Sequence, residues 1–308
     1  MTGVRVLDGA TVTGALGWTD AVDALRGALL AGVDPEAELP RTGRPFGAGE
    51  LLVMPSDAGA RLGGRTLAAV KLATVADRGP GPRINAVCVV FDAVTLAPVA
   101  VLDGVALTSL RTPAVSALAV DLVAPAAADR LLVFGTGPQA EGHVAALRAV
   151  RSLSSVGVVG RVPEKTAAFV DRLRADGVDA EVATAADVTA ADVVACCTTA
   201  REPLFDGRLL GDTAVVVACG SHEPGAREVD TETVRRCGVV VESVTAACRE
   251  AGDVVLAVAE GAVTAADLVP LARLVRGETT ARPRLVKTVG MGWEDLAVAA
   301  AVLAAVGP

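Results

Sequence analysis

The hydrophobic pattern changes character near residue 129. Before it, short β-type runs at 51–55, 66–75, 85–92 and 99–104 are set off by Gly, Pro and Asp and predict strands. The segment AVTLAP joins the last two as a hairpin. A 3.6-residue period over 20–32, after Thr19 as a cap, predicts a helix. LTSLRTPAVSALAVDLVA (107–124) predicts a longer one, with Arg111 and Thr112 near its start. Pro113 then falls at an early helical position, where its missing N–H is tolerated. From 129 onward, apolar runs at 131–135, 155–160, 181–183, 192–197, 214–220 and 238–243 alternate with helix-type segments. That alternation predicts βαβ units around a parallel sheet. After 285, VKTVGMGWEDLAVAAAVLAAV reads as an extended piece followed by an Ala-rich helix. No internal repeat and no low-complexity linker interrupts the chain.

Composition narrows the function classes. A length of 308 residues suggests about two domains, with one large domain also open, and 52% apolar residues give ample material for a core. Aromatics are 2% with no Tyr, and the net charge is −8. Base-stacking platforms and a basic footprint are both missing, so no nucleic acid is expected as a partner. MTGVRVLDGATVTG has no basic segment leading into an apolar one, so no targeting signal is expected. Apolar runs such as 296–306 are interrupted or too short for the roughly 20 residues of a membrane span, so no membrane is expected. Cys88, Cys196, Cys197, Cys219, Cys237 and Cys248 show no CxxC and no metal-ligand spacing with His143 and His222. No metal site and a reducing cytoplasm follow as expectations, with Cys196 and Cys197 packing as small hydrophobes.

The first chemical signal is LLVFGTGPQAEGH. It sets Gly135-x-Gly137-x-x-Ala140 between a buried strand and a helix, with Thr136 and Gln139 in the same loop. Gly135 permits the tight turn, Gly137 lets a pyrophosphate approach the backbone, and Ala140 allows close helix–strand packing. The anion then meets the free N–H groups of a helix N-terminus. The string alone is weak; in this strand–turn–helix setting it predicts dinucleotide binding. The next strand ends VVGRVPEK, with Gly160 and Arg161 where an NAD site usually has an acid. Arg161, with Lys165, suits a 2′-phosphate, and Gly160 leaves space for it, so NADP(H) is favoured over NAD(H). Thr198, beyond the DVVACC run, belongs to the same cofactor set.

Several segments together resemble the ornithine cyclodeaminase/mu-crystallin family over nearly the whole chain. They are LPRT, the MPS stretch, the VKL strand, VLDGVALTSLRTPAVSALA, FGTGPQAEGH, the PGARE loop and VKTVGMGWEDLAVAA. The resemblance implies an α/β protein with a Rossmann domain (118–283) inserted in an α+β substrate and dimerisation domain. The latter is built from 1–117 and 284–308, with the active site in the cleft. It also implies a homodimer and hydride chemistry on an amino or imino acid. Arg41, Lys71 and Arg111 match the family's substrate-carboxylate grip, and Thr112 a residue near the cofactor phosphates. Read by themselves, Lys71 is a costly strand lysine unless paired, Arg111 a first-turn cation and Arg41 a surface residue. Met54 lines the same pocket or simply packs in the core. His143 fits the family pattern and reads equally as a packed helix residue.

The loop VACGSHEPGARE carries the remaining question. In the family's cyclodeaminases the corresponding loop holds an aspartate base just before the Pro-Gly turn. This chain offers Ser221, His222 and Glu223 there, and no Asp. A histidine can donate a proton to an imine but lacks the permanent negative charge that would activate ornithine. The expectation is therefore a reductase of a cyclic ketimine carboxylate. Lys71 or His222 would be catalytic, with Glu223 and water as other proton sources and the reverse amino-acid oxidation also open. Two rivals stand beside it: an ornithine cyclodeaminase forming proline and ammonium, and a non-catalytic NADPH and small-ligand binder.

Overall fold

A computed structural model describes residues 3–76 and 83–307, the side chain of Ala58 excepted. The chain begins with β1 (Arg5–Leu7), α1 (Gly9–Ala15), α2 (Trp18–Leu30), β2 (Thr42–Phe46) and β3 (Gly49–Leu62). It continues through β4 (Arg65–Ala76), β5 (Ile84–Asp92), β6 (Pro98–Asp103) and α3 (Gly104–Val123). Next come β7 (Arg130–Phe134), α4 (Pro138–Val150), β8 (Ser155–Val159), α5 (Pro163–Ala175), β9 (Ala180–Val182) and β10 (Val193–Cys196). After these are β11 (Val215–Ala218), α6 (Thr231–Cys237), β12 (Val239–Val241), α7 (Val244–Glu250) and α8 (Gly252–Ala259). The chain closes with β13 (Leu268–Pro270), α9 (Leu271–Val275), β14 (Leu285–Lys287) and α10 (Gly292–Ala305). Two compact units result: Met1–Val115 with Gly290–Pro308, and Ser116–Val289. This is the expected class, a Rossmann-type parallel sheet inserted in an α+β unit made from both chain ends.

The first unit is built on a six-stranded sheet in the order β1-β6-β5-β4-β3-β2, antiparallel except between β1 and β6. Along β4 the residues Leu67, Ala69, Lys71 and Ala73 are buried and alternate with more accessible ones. Directly opposed residues share a sheet face, so Met54, Lys71, Cys88 and Leu102 form one buried row across β3 to β6. Helix α10 packs against β3, β4 and β5 and against α2. It is apolar nearly all round, as a helix enclosed by its own unit must be, with Trp293, Leu296, Val298 and Val302 fully buried.

Helix α3 starts earlier than its sequence pattern indicates. Asp103 Oδ1 accepts from the N–H groups of Val105 (2.8 Å) and Ala106 (2.9 Å), which caps the helix at Gly104. Pro113 consequently lies in mid-helix, and Arg111 and Thr112 about two turns in rather than at the start. The expectation that apolar runs are too short for a membrane span also needs correction. The 20 residues of α3 meet the length and composition of a span, but 72% of its apolar window is buried inside the protein. A helix covered in that way has little surface left for lipid.

The second unit is an eight-stranded parallel sheet in the order β13-β12-β14-β11-β10-β7-β8-β9. Its central strands are buried throughout, which explains their unbroken Val/Ala runs. From β7 the chain first builds outward to β8 and β9, then returns to add β10 and β11 on the other side. Ligands bind outside the carboxyl ends of strands at such a reversal. The register aligns Phe134 with Cys196 and with Val159, and Cys196 with Ala218, so the loops after these four strands leave at one level. β14 pairs with β11 and β12, so Leu285–Lys287 belong to this sheet, and the second unit runs on to Val289 rather than ending at residue 283. A three-residue strand carries too little periodicity to reveal that.

Candidate active site

The glycine loop is shaped by contacts that dictate its residues. Gly135 has φ +120°, and a Cβ there would stand 2.5 Å from the carbonyl oxygen of Cys197. No other residue fits. Gly137 is the N-cap of α4, with Pro138 at the first helical position, and nothing lies within 4 Å of where its Cβ would project. That open backbone at a 13-residue helix N-terminus is the cradle a pyrophosphate needs. Ala140 is completely buried beneath it, and Thr136 is half-buried. Gln139 Oε1 is buried with no hydrogen-bond partner, an acceptor suited to a ligand hydroxyl or N–H.

At the end of β8, Arg161 and Lys165 are exposed. A Cβ on Gly160 would collide with Thr166 Oγ1 and lie 2.9 Å from Thr136 Cγ2. Packing therefore accounts for this glycine, and the expected space for a phosphate is not what requires it.

A buried carboxylate organises the ends of β10 and β11. Glu228 Oε1 accepts from the backbone N–H of Thr198 (2.8 Å) and from its hydroxyl (2.7 Å), while Oε2 accepts from Gly220 N–H (2.6 Å). Thr198 is thus committed to Glu228 through both donors. Burial, followed by the neighbouring Cys219, pushes the Glu228 carboxyl up to about 8 against these donors. Asp253 Oδ1 accepts from the N–H groups of Glu228 (2.7 Å) and Val229 (2.9 Å). Its other oxygen pairs with Lys287 at 2.9 Å, both side chains being fully buried. Burial alone would lower Lys287, but attraction to Asp253 and Glu228 outweighs it and holds the amine above its ordinary range. Lys287 also donates to Ser221 O at 2.7 Å, and the Ser221 hydroxyl donates to Ala226 O. His222, half-buried, therefore sits on a loop fixed at both ends. Glu223 turns to Arg201, 2.6 Å away in a largely exposed ion pair.

His143 is completely buried on α4. Its Nδ1 faces the carbonyl of Gln139 at 2.7 Å and its Nε2 faces Ser116 Oγ at 2.9 Å. A carbonyl only accepts, so Nδ1 carries the proton in the neutral ring and Nε2 accepts from Ser116. The ring also lies beside the Cys197 and Cys219 sulfurs, all ligand-type atoms being within 4.8 Å of one another. Sequence spacing indicates no such grouping, because it arises only from the order of strands.

In the first unit, Lys71 and Arg111 come together, joined by carboxylates that the sequence reading does not single out. Lys71 Nζ donates to Asp295 Oδ1 (2.9 Å) and to Thr108 Oγ1 (3.1 Å), and lies 2.7 Å from Asp295 Oδ2. Arg111 pairs with Glu294 (2.7 Å) and, through Nε, with Asp295 (3.3 Å). All four are at most 5% exposed. Burial lowers Lys71 from its ordinary range, and Asp295 only partly restores it. Gly290, at φ +78°, is required because a Cβ there would meet the Arg111 guanidinium. Arg41 is half-buried one residue before the pair Thr42–Val53, which sets it at the level of Met54 in the row that contains Lys71. Met54 is buried and Thr112 nearly so. Glu38, also unanticipated, accepts from Ser56 Oγ at 3.0 Å and is pushed up to about 7, chiefly by burial.

Comparison with known proteins places this geometry. Residues 11–306 match the model of the ornithine cyclodeaminase/mu-crystallin family. A Delta(1)-pyrroline-2-carboxylate reductase 2 from Burkholderia ambifaria is 36% identical over 262 residues, covering 82% of this chain and 79% of that protein. The ketimine reductase mu-crystallin of Mus musculus is 33% identical over 219 residues, 71% of this chain and 68% of its own. Among solved structures, the Delta(1)-pyrroline-2-carboxylate reductase of Thermococcus litoralis, in complex with NADH and L-proline, superposes with a TM-score of 0.90. It is 25% identical, over 98% of both chains.

Proposed function

Because the chain belongs to the ornithine cyclodeaminase/mu-crystallin family, we propose that it reduces a cyclic ketimine carboxylate, of the pyrroline-2-carboxylate or piperideine-2-carboxylate kind, with a preference for NADPH. The observation that carries this reading is that relatives covering over two thirds of the chain are a Delta(1)-pyrroline-2-carboxylate reductase and a ketimine reductase. The glycine loop fits the cofactor through the open Gly137 backbone and the unpartnered Gln139 oxygen.

A bound nicotinamide dinucleotide supplies the hydride. The chain's own residues then have two tasks. Arg111 and Lys71, with Arg41, hold the substrate carboxylate and orient the imine carbon, the carboxylates of Glu294 and Asp295 keeping those cations charged in a buried setting. His222 delivers one proton to the imine nitrogen as the carbon takes the hydride, which completes the amine. Glu223 is tied to Arg201, so the loop lacks the ready carboxylate base that a cyclodeaminase uses. The substrate half is tested by screening NADPH oxidation against preformed cyclic imines and against α-keto acids with free amines. Turnover confined to the cyclic imines is expected. Turnover of open-chain mixtures alone would overturn the substrate class.

Arg161 is the proposed partner of the 2′-phosphate. A charge-assisted contact of this kind contributes about 1.5–3 kcal/mol, roughly 10- to 150-fold in affinity. Arg161→Ala is expected to remove most of the NADPH advantage while sparing NADH, as read by fluorescence titration. Equal affinities for the two cofactors in the parent protein would leave Arg161 an exposed side chain without that role.

The homodimer implied by the family is part of the same reading. Leu72 and Val87, opposed across β4 and β5, are exposed on the sheet face away from Lys71 and give a second copy apolar surface to cover.

A further inference from the structure

Cys197 and Cys219 directly follow β10 and β11, which run side by side in register. Adjacent strands lie about 4.8 Å apart, inside the Cα separation that a disulfide tolerates. The two sulfurs are 3.8 Å apart, both residues are half-buried, and neither is bonded to another cysteine. Their backbones are held from several sides. Cys197 N–H donates to Phe134 O (2.9 Å), and Cys219 N–H to Cys196 O (3.1 Å). The next residues, Thr198 and Gly220, are both gripped by the one Glu228 carboxylate. The pair is therefore pre-positioned, and little chain entropy is lost in joining it.

The neighbours favour reaction at Cys219. The Cys219 sulfur lies 3.4 Å from the Cys196 carbonyl oxygen and 3.8 Å from the Cys197 sulfur. The contact with Cys197, opposed by burial and reinforced by the charge of His143, holds the Cys219 thiol well below its ordinary range. The thiolate is the form that attacks peroxides and disulfides. A metal ion would compete for the same atoms, but both ring nitrogens of His143 already have partners in Gln139 O and Ser116 Oγ. Ligation by the ring requires one of those bonds to break, whereas joining the sulfurs leaves both in place.

We propose that Cys197 and Cys219 form a reversible disulfide on exposure to hydrogen peroxide, and that this bond closes the dinucleotide site. The Cys219 thiolate attacks one peroxide oxygen, the O–O bond breaks, and the departing hydroxide takes up a proton as water, leaving a sulfenic acid. The Cys197 sulfur attacks the Cys219 sulfur, the S–O bond breaks, and the Cys197 proton leaves with the hydroxide as a second water. One peroxide is reduced by two electrons from the two thiols. Closing the sulfurs from 3.8 Å to a bond of about 2.05 Å displaces the ends of β10 and β11. The Cys197 carbonyl is what Gly135 packs against, so that displacement reaches the floor of the glycine loop. The closure rests on the dinucleotide reading of that loop; the disulfide does not.

The experiment treats the reduced full chain with hydrogen peroxide in the presence of a chelator, alkylates it, and maps peptides by mass spectrometry without reductant. A Cys197–Cys219 peptide is expected, lost on dithiothreitol and absent from Cys197→Ser and Cys219→Ser. NADPH affinity is expected to fall at least about tenfold on oxidation and to return on reduction, while Cys219→Ser binds alike before and after peroxide. Sulfonic acids, links to Cys248, or intact thiols in place of that peptide overturn the disulfide. A linked protein with undiminished NADPH affinity overturns the closure. Should the reduced protein bind no NADPH, the dinucleotide reading and the closure both fall, and the peptide map still decides the disulfide.

Discussion

Asp295→Ala is expected to destabilise the protein by about 3–5 kcal/mol, the range for breaking a buried ion pair by removing one partner. Asp295 is the hinge of the four-residue network, since both Lys71 and Arg111 reach it. Without it, Lys71 keeps the neutral Thr108 hydroxyl as an acceptor, in a site 2% exposed. An uncompensated ammonium there discharges, which removes one of the cations proposed to hold the substrate. The carboxylate, not the lysine, is therefore the more damaging loss. The double variant Lys71→Met with Asp295→Leu takes away both charges and is expected to recover a good part of the stability, but no activity. Urea denaturation of the parent, the single and the double variant measures this. An Asp295→Ala protein within about 1 kcal/mol of the parent would mean that solvent, not Asp295, compensates Lys71.

His222→Ala is expected to slow imine reduction by roughly 10²–10⁴, the usual contribution of a positioned general acid. The loop gives the reason. Lys287 holds the Ser221 carbonyl, Glu228 holds Gly220 N–H, and Glu223 is turned outward to Arg201. His222 lies between those anchors, and its imidazole can donate a proton to an imine nitrogen. A donor must begin protonated, so kcat/KM should fall as pH rises through the donor's titration, and that limb should vanish in the variant. A falling limb that persists in His222→Ala would point instead to Lys71, whose amine burial lowers from its ordinary range. A His222→Ala protein with parental kcat/KM and the same pH profile would make the histidine a bystander.

What the sequence reveals and what it hides follow from one distinction. Local chemistry was legible. Gly135, Gly137 and Ala140 follow from a turn, an open backbone and a tight helix contact, each a demand on a single position, and the structure gives each residue that setting. The strand runs were legible for the same reason, though α3 begins earlier because Asp103 caps it. Partnerships across the fold were not. Glu294 and Asp295 look in the sequence like acids favouring a helix N-terminus, and only the packing of α10 on β4 brings Asp295 to Lys71. Cys197 and Cys219 are separated by a strand connection, and strand order alone makes them neighbours. Short β1, β13 and β14 carry no period to read.

The proposed function is reduction of a preformed imine without deamination of ornithine. The direct measurement compares initial rates of the purified protein with NADPH and a preformed cyclic ketimine carboxylate against ornithine with the oxidised cofactor, assaying NADPH consumption, proline and ammonium together. Imine reduction with one NADPH consumed per amino acid formed, and ammonium release at background, is the predicted result. Conversion of ornithine to proline and ammonium without net cofactor turnover, at a rate comparable to imine reduction, would contradict it.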